Sequence, residues 1–330
     1  MSPVNYSSIF KLLANAVDGF DDLDEASAHA LYAALFDGGL PEMETGAFVA
    51  YSRSRSISLA EMLGLQRALR ERVIRLHPPQ RELRLVLIPT YCGTTQHLNL
   101  TALIALLLQR YEIPVLVHGT LEGRGGIGTA YVLREFNILP SGSAQLAQIN
   151  LDRDLLAFLP TAALSAGLAQ LLALRTRLGF SMQNYIAPLL LDPFDGHCVH
   201  LANVADAAQA DLLRELFRST GQSALTFCGT EGEPFVDPVR RPAIEITADG
   251  TNTLLFDREN GQGHAALRMP CKIDLASTVT WIKQALAGEV AIPHPILNQL
   301  ACCLFASGYA KDMHQAKAIA AMSAGGLVAA

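Results

Sequence analysis

The sequence predicts an α/β protein with a small all-helical N-terminal domain and a larger α/β domain built on a mainly parallel central sheet. Up to about residue 83, apolar residues recur at helical spacing. From residue 84, short apolar runs of strand length alternate with helical stretches, a pattern typical of a parallel sheet covered on both faces. Half of the 330 residues are apolar and 17% are charged, so the chain can bury a large core.

The helical domain is predicted over residues 1–83. A first helix is expected around 9–17, where apolar residues follow the helical period. Asp22 and Glu25 resemble a capping box at the start of the next helix, because an acceptor and a glutamate stand three positions apart. A helical return near 162–190 is assigned to the same domain.

The α/β domain is predicted over 84–161 and 191–330. Its expected strands are LRLVLI, IPVLVHG, LLAFLP, HCVHLANV and ALTFCG, separated by helices such as TALIALLLQRY and DLLRELFRST. Residues 129–138 are predicted to form a further helix. The tail from residue 278 is predicted to be helical, with a break at AIPHP.

The composition of the chain limits the kinds of partner that it is expected to bind. The formal net charge of −6 gives the whole chain no attraction to nucleic acid or to an anionic membrane, so such binding would need a local basic patch. No segment approaches the roughly 18 continuous apolar residues of a membrane span. The start of the chain lacks the pattern of a secretory leader, and the six cysteines show no regular spacing. We therefore expect a cytoplasmic protein without a membrane partner.

The stretch 84–119 is the most informative part of the chain. It predicts strand, polar turn, buried helix and second strand, a βαβ unit of the kind that holds a phosphate at its first turn. The turn itself, PTYCGTT at 89–95, is unusual for such a site. Pro89 has no backbone N–H to donate, Tyr91 adds bulk, and the turn contains no acidic residue.

Several strings in the same order resemble the anthranilate phosphoribosyltransferase family, which has the nucleoside phosphorylase/phosphoribosyltransferase fold. They are DLDEASAHALYAALFDGGLPEMETGAFVAYSRSRSISLAEMLG, the βαβ unit at 84–119, RTRLGFSMQNYIAPLLLDP, and ALAGEV followed by ILNQLACCLFASGYAKDMHQAKAIA. The resemblance covers nearly the whole chain. It implies a homodimer formed through the helical domain and an α/β domain that binds phosphoribosyl pyrophosphate with Mg²⁺.

The chain departs from the family at the motifs that carry its chemistry. The family's Gly-Thr-Gly-Gly-Asp turn is replaced by PTYCG, and its Lys-His-Gly-Asn-Arg turn by VHGTL at 117–121. Pro234 and Phe235 stand in place of the Asp-Glu pair that binds Mg²⁺, and Ser181 in place of the arginine that meets anthranilate. The resemblance leaves these phosphate-turn remnants: Thr90, Gly93, Thr94, Asn99, Thr101, His118, Gly119 and Arg175.

These departures resemble a divergent, YbiB-type branch of the family. That likeness implies a protein that keeps the fold and the dimer, binds nucleic acid without sequence specificity, and needs no cofactor. We assign no catalytic residue and no metal site. The alternative is a phosphoribosyltransferase acting on another substrate, with Mg²⁺ and with the turn remodelled around Thr94, Thr95, Asn99, His118 and Arg175. A third possibility is a non-catalytic module that binds some other phosphorylated metabolite.

An arginine-rich stretch supplies the independent argument for nucleic acid. Eight arginines lie between residues 53 and 84 against three glutamates, and a guanidinium suits phosphate through its paired donors. The competing interpretation is a solvated helix face with internal ion pairs such as Arg67–Glu71. The nucleic-acid-binding candidates are Arg53, Arg55, Arg67, Arg70, Arg75, Arg175, Arg177, Arg214 and Arg218.

Two further segments leave alternatives open. EGRGGIG at 122–128 is either a flexible loop or an anion-binding turn. Its glycines do not directly follow a strand, so the segment is only a weak match to a nucleotide-binding motif. Glu231 and Glu233 offer oxygens for Mg²⁺, but no third acidic residue stands near them in the sequence.

Overall fold

The computed structural model describes residues 22–52, 56–123, 125–179, 186–259 and 269–323. The chain divides into two compact units. The helical unit comprises Met1–Ile74 and Leu164–Pro193, and the α/β unit comprises Arg75–Ala163 and Phe194–Ala330. The helix predicted around 9–17 lies outside the described residues.

The elements follow one another as the sequence analysis expects, with additions. The helices are α1 Glu25–Phe36, α2 Glu42–Ser52, α3 Leu59–Arg70, α4 Thr101–Arg110, α5 Thr129–Arg134, α6 Ala144–Asp154, α7 Thr161–Leu164, α8 Ala166–Leu178, α9 Ile186–Leu189, α10 Ala207–Thr220, α11 Leu275–Ala287, α12 His294–Ala306 and α13 Met313–Met322. The strands are β1 Leu85–Thr90, β2 Val115–Gly119, β3 Leu156–Pro160, β4 Cys198–Val204, β5 Ser223–Cys228, β6 Ile244–Ala248 and β7 Thr251–Phe256.

In the helical unit, α1 and α3 pack closely. A Cβ placed on Gly64 would lie 2.6 Å from the carbonyl oxygen of Glu25, so only glycine permits this approach. The predicted capping box at Asp22 and Glu25 is wrong, because α1 is capped by Asp24, whose carboxylate accepts from Ser27 N–H. A capping box does occur one element later, where Ser58 and Glu61 cap α3.

The α/β unit is built on a seven-stranded sheet of order β3-β2-β1-β4-β5-β6-β7. The first five strands in this order are parallel, which confirms the predicted mainly parallel sheet. The hairpin β6–β7 is antiparallel and was not predicted. Helix α4 is almost wholly buried against the sheet, as a crossover helix inside a parallel sheet requires.

The carboxyl ends of β1, β2 and β5 meet at one edge of the sheet, the edge where open α/β sheets bind ligands. Here β1 ends at Thr90 and β2 at Gly119. A Cβ on Gly119 would lie 1.7 Å from the Thr90 carbonyl oxygen, so glycine is required for the two strands to end side by side. This close approach fixes the turn that follows β1.

No described helix is long and apolar enough to cross a membrane.

Candidate functional site at the carboxyl edge of the sheet

The turn after β1 surrounds a carboxylate that belongs to the chain itself. Glu233, from the segment after β5, has no exposed surface. Its Oε1 accepts hydrogen bonds from three successive backbone N–H groups, those of Tyr91 at 3.2 Å and of Cys92 and Gly93 at 2.8 Å each. Successive N–H groups that converge on one point form an anion-binding concavity. The turn predicted to hold a phosphate therefore holds Glu233.

Threonine hydroxyls surround the second oxygen of Glu233. Its Oε2 accepts from Thr90 at 2.5 Å, from Thr129 at 2.9 Å and from Thr101 at 3.2 Å. Asn99 braces this group, because its amide donates to Thr129 Oγ1 at 3.0 Å and its carbonyl accepts from Thr101 N–H at 3.1 Å. The structure thus brings the predicted residues Thr90, Asn99 and Thr101 together, with Thr129 as a member that was not predicted.

A second carboxylate from the same segment occupies the next part of the turn. Glu231 accepts from the backbone N–H groups of Thr95 at 2.8 Å and Gln96 at 3.0 Å, and from the Thr95 hydroxyl at 2.8 Å. His97 Nδ1 lies 2.9 Å from Glu231 Oε1. Partial burial raises the pKa of Glu231, but the hydrogen bonds from Thr95, His97 and Gln96 outweigh it and hold the pKa at about 2.

The segment that carries both glutamates has a tightly specified backbone. Glu231 and Gly232 both adopt positive φ, of 53° and 83°. A Cβ on Gly232 would meet Cys92 Sγ at 2.7 Å, and a Cβ on Gly229 would meet the Glu233 carbonyl oxygen at 2.3 Å. Two glycines therefore allow the segment to reach the turn.

Neighbouring side chains anchor the same segment. Asn203 on β4 donates to the carbonyl of Gly232 at 2.7 Å. On α12, Gln299 accepts from Val236 N–H at 3.0 Å and donates to the Pro234 carbonyl at 2.8 Å. Anchors on both sides hold Glu231 and Glu233 in place.

His118 takes part in a separate buried group. Its Nδ1 lies 2.9 Å from the hydroxyl of Tyr91, which also accepts from Thr161 Oγ1 at 3.1 Å. Burial raises the pKa of Tyr91 above its usual range. The side chain of Tyr91 therefore does more than add bulk to the turn, because its hydroxyl orients His118.

The remaining remnants have structural positions. Gly93 adopts a φ of 70°, and Thr94 pairs through its backbone with Ile127 in the loop 122–128, while its hydroxyl has no hydrogen-bond partner. The described part of that loop packs against the turn, because a Cβ on Gly126 would lie 2.4 Å from the Thr94 carbonyl oxygen. Arg175 lies on α8 and belongs to the helical unit, whereas the other remnants belong to the α/β unit.

The donors around the two glutamates do not fit Mg²⁺. A magnesium ion needs free oxygen lone pairs in an octahedral arrangement. Each Glu233 oxygen instead accepts from three protein groups, and Glu231 is held by N–H and O–H donors. Backbone N–H groups cannot coordinate a cation. The possibility that Glu231 and Glu233 offer oxygens to Mg²⁺ therefore has no support in this geometry.

Most of the candidate arginines lie beside carboxylates. Arg53 and Arg55 fall outside the described residues. Arg67 pairs with Glu71, as the competing interpretation expects, while Arg70 is exposed and Arg175 half-buried. The other pairs are Arg75–Asp195, Arg177–Glu42, Arg218–Glu215, and Arg214 with both Asp211 and Glu245. The structure thus gives these arginines acidic neighbours that compete with a phosphate.

Comparison with known proteins identifies the family. Residues 10–73 match the helical bundle domain of a glycosyl transferase family. The uncharacterized protein YbiB of Escherichia coli K12 is 32% identical over 308 residues, covering 93% of this chain and 96% of that protein. An anthranilate phosphoribosyltransferase of Prochlorococcus marinus is 26% identical over 247 residues, covering 73% of this chain and 67% of that protein.

Solved structures give the same fold. Anthranilate phosphoribosyltransferase from Thermus thermophilus superimposes with a TM-score of 0.76 at 18% identity, covering 96% of this chain and 94% of that one. The Saccharomyces cerevisiae enzyme in complex with PRPP and Mg gives 0.69 at 11% identity, covering 96% and 93%. With the relative of 32% identity along almost its whole length, the chain therefore belongs to the anthranilate phosphoribosyltransferase-like family.

Proposed function

We propose that this protein has lost phosphoribosyl transfer and acts in the cytoplasm as a homodimer that binds nucleic acid without sequence specificity. The main support for the loss of phosphoribosyl transfer is the position of Glu233, whose carboxylate fills the anion-binding turn. Two anions cannot share one set of donors. Phosphoribosyl pyrophosphate would reach this turn only if the segment 229–235 withdrew.

The charges at the same edge of the sheet support the proposed loss of phosphoribosyl transfer. The positions where the family places a lysine and an arginine carry Val117 and Leu121, so the turn lacks the cations that offset a pyrophosphate in the family. An incoming pyrophosphate would also meet Glu231 and Glu233. Catalysis of phosphoryl-linked chemistry depends on preorganised positive charge, and these residues supply the opposite sign.

Exposed arginines of the helical unit support the nucleic-acid proposal. Arg67 and Arg177 have 58% and 64% of their side chains exposed, and Arg70 is exposed as well. Their acidic neighbours do not preclude binding, because an exposed ion pair contributes only about 0–1 kcal/mol and a phosphate can replace the carboxylate. Binding would draw its free energy from counterion release, and a dimer would present every arginine twice.

Binding of labelled single-stranded DNA, double-stranded DNA and RNA, measured by fluorescence anisotropy from low to high salt, tests the proposal. We expect affinity to fall steeply with salt. Arg67→Glu should weaken binding of all sequences alike and lower the slope of log K against log salt by about one for each Arg67 that contacts a phosphate. Arg153→Glu is the matched control, because Arg153 is an exposed helical arginine beside Asp154 that belongs to no candidate group. A slope near zero, or equal effects of the two variants, would contradict nucleic-acid binding.

Calorimetry with phosphoribosyl pyrophosphate and Mg²⁺ tests the other half of the proposal. We expect no heat of binding. Tight, metal-dependent binding would instead favour the transferase alternative, and metal-independent binding of phosphorylated metabolites would favour the non-catalytic module.

A further inference from the structure

The donors around Glu233 are enough to fill every acceptor site of one carboxylate. Three backbone N–H groups and three threonine hydroxyls face its two oxygens. A carboxylate offers about four lone-pair sites. Thr90 can instead donate to Thr129 at 2.6 Å, and Thr129 to Asn99 Oδ1 at 3.3 Å, so between four and six donors are available for about four sites. The donor set therefore suits a carboxylate or a phosphate, and a phosphate offers further oxygens to the threonine hydroxyls.

The second glutamate extends the same arrangement along the turn. Glu231 is held by the N–H groups of Thr95 and Gln96, directly after the N–H groups that hold Glu233. Two adjoining concavities thus take two carboxylates that stand two residues apart in one segment. Both carboxylates are therefore bound through backbone N–H groups of one turn.

From this geometry we propose that Glu231–Gly232–Glu233 is a tethered anionic ligand of the chain's own turn, and that the Glu233 carboxylate keeps a phosphate site closed. The proposal rests on the proposed loss of phosphoribosyl pyrophosphate binding and supplies its cause. It goes further by stating that the loss lies in one removable side chain as well as in the missing lysine and arginine.

Tethering explains why a free anion would not compete in the wild-type protein. A ligand on a short linker has an effective concentration on the order of millimolar even when the linker is flexible. The segment is instead anchored by Asn203 and Gln299, so Glu233 is already held in its bound position. Its binding to the turn therefore carries little further cost in conformational entropy. Inorganic phosphate therefore faces a competitor that does not diffuse away.

Removal of the carboxylate tests the proposal. Glu233→Ala leaves the donors of Tyr91, Cys92 and Gly93 and the three hydroxyls facing an empty space. We expect inorganic phosphate or diphosphate to stabilise this variant by several degrees in melting temperature, against about one degree or less for the wild type. Chloride at equal ionic strength controls for general salt effects. The fluorescence of Trp281, the single tryptophan and a buried residue of the α/β unit, reports unfolding.

Two further variants keep the outcome decisive. Glu233→Gln removes the negative charge and places an amide NH₂ among donors, so its side chain is held less tightly and is more easily displaced by phosphate; we expect a smaller gain than for Glu233→Ala, and one that is measurable even if Glu233→Ala does not fold. Adding Thr129→Val to either variant should remove most of the gain, because it deletes a donor to the anion. If phosphate and diphosphate stabilise neither variant more than the wild type, the proposal is overturned.

The same proteins separate this inference from the proposed function. Tight binding of phosphoribosyl pyrophosphate by the wild type would overturn both. Absence of binding by the wild type and by both Glu233 variants would leave the loss of transferase chemistry standing and reject the tethered ligand.

Discussion

Glu231 and Glu233 stand two residues apart and occupy the same turn in different environments. Glu233 has no exposed surface, whereas the Glu231 side chain keeps 22% of its surface in contact with solvent. Both accept from successive backbone N–H groups, but only Glu231 also has an imidazole beside it. We therefore expect the two carboxylates to have different effects when they are removed: loss of Glu233 should open the turn to phosphate, and loss of Glu231 should change the stability of the fold in acid.

Glu231→Gln should alter the acid stability of the α/β unit. Hydrogen bonds hold the pKa of Glu231 at about 2, below its ordinary value of 4.5. A lowered pKa stabilises the folded state above the unfolded pKa, and this contribution is lost as pH falls from about 4.5 towards 2. At pH 7 the contribution is at most about 3 kcal/mol. We expect the difference in unfolding free energy between wild type and variant to shrink over that interval.

Urea unfolding followed by Trp281 fluorescence at pH 7, 5, 4 and 3 measures this difference. Glu215→Gln serves as a control, because Glu215 pairs with Arg218 at the surface, where solvent screens the interaction. A difference between wild type and Glu231→Gln that stays constant from pH 7 to pH 3 would contradict the assignment.

How far the site could be predicted differs from residue to residue. The resemblance indicated Thr90, Asn99 and Thr101, and the structure brings these together. It did not indicate Thr129 or the role of Glu233, because the contacts of Glu233 with Thr90 and Thr129 span 143 and 104 positions. The positions that correspond to the family's two carboxylates carry Pro234 and Phe235. The residue that fills the site stands directly before them.

At the scale of elements, the βαβ unit was predictable because a buried strand and a buried crossover helix both leave continuous apolar runs. The β6–β7 hairpin was missed, although Asp249-Gly250 gave a signal for it. Both residues adopt positive φ, of 50° and 73°, as a two-residue hairpin turn requires. Strand β7 lies at the sheet edge and is largely exposed, so it lacks the apolar run on which the strand predictions relied.

Gly119→Ala should damage the join between β1 and β2. The added methyl group would lie 1.7 Å from the Thr90 carbonyl oxygen, which accepts from Thr120 N–H at 3.2 Å. Forcing the strands apart should cost about 3 kcal/mol, the upper end of ordinary overpacking, and should displace Thr90 from Glu233. Urea unfolding should show this as a lower midpoint.

Gly142→Ala is the matched control in the same unit. No atom lies within 4 Å of the Cβ that it would add, and its φ is not positive, so its effect should stay within about 0.5 kcal/mol. Equal midpoints for the two variants would show that the close approach at Gly119 is not required.

At the scale of the whole molecule, the sequence predicts the acidic neighbours of some arginines but not those that lie far away in the chain. Arg177 pairs with Glu42 across 135 positions, and Arg75 with Asp195 across 120. Three pairs do follow from helical spacing: Arg67–Glu71 at i,i+4, and Arg214–Asp211 and Arg218–Glu215 at i,i+3. With a net charge of −6, the proposed binding of nucleic acid depends on local arrangement, and a dimer would change that arrangement by presenting each arginine twice.

We therefore predict that the protein forms a dimer through its helical unit. Met43 on α2 has 79% of its surface exposed, the largest value among the exposed large apolar residues that the structure describes. We expect light scattering to give a mass near twice the chain's 35.5 kDa, and Met43→Glu to shift it towards the monomer. Leu139→Glu, at a residue 60% exposed in the α/β unit, should leave the dimer intact. Because two linked arginine sets bind a polyanion more tightly than one, Met43→Glu should also weaken nucleic-acid binding, about tenfold or more at low salt. A monomeric wild type, or equal dissociation of both variants, would reject a dimer formed through this face.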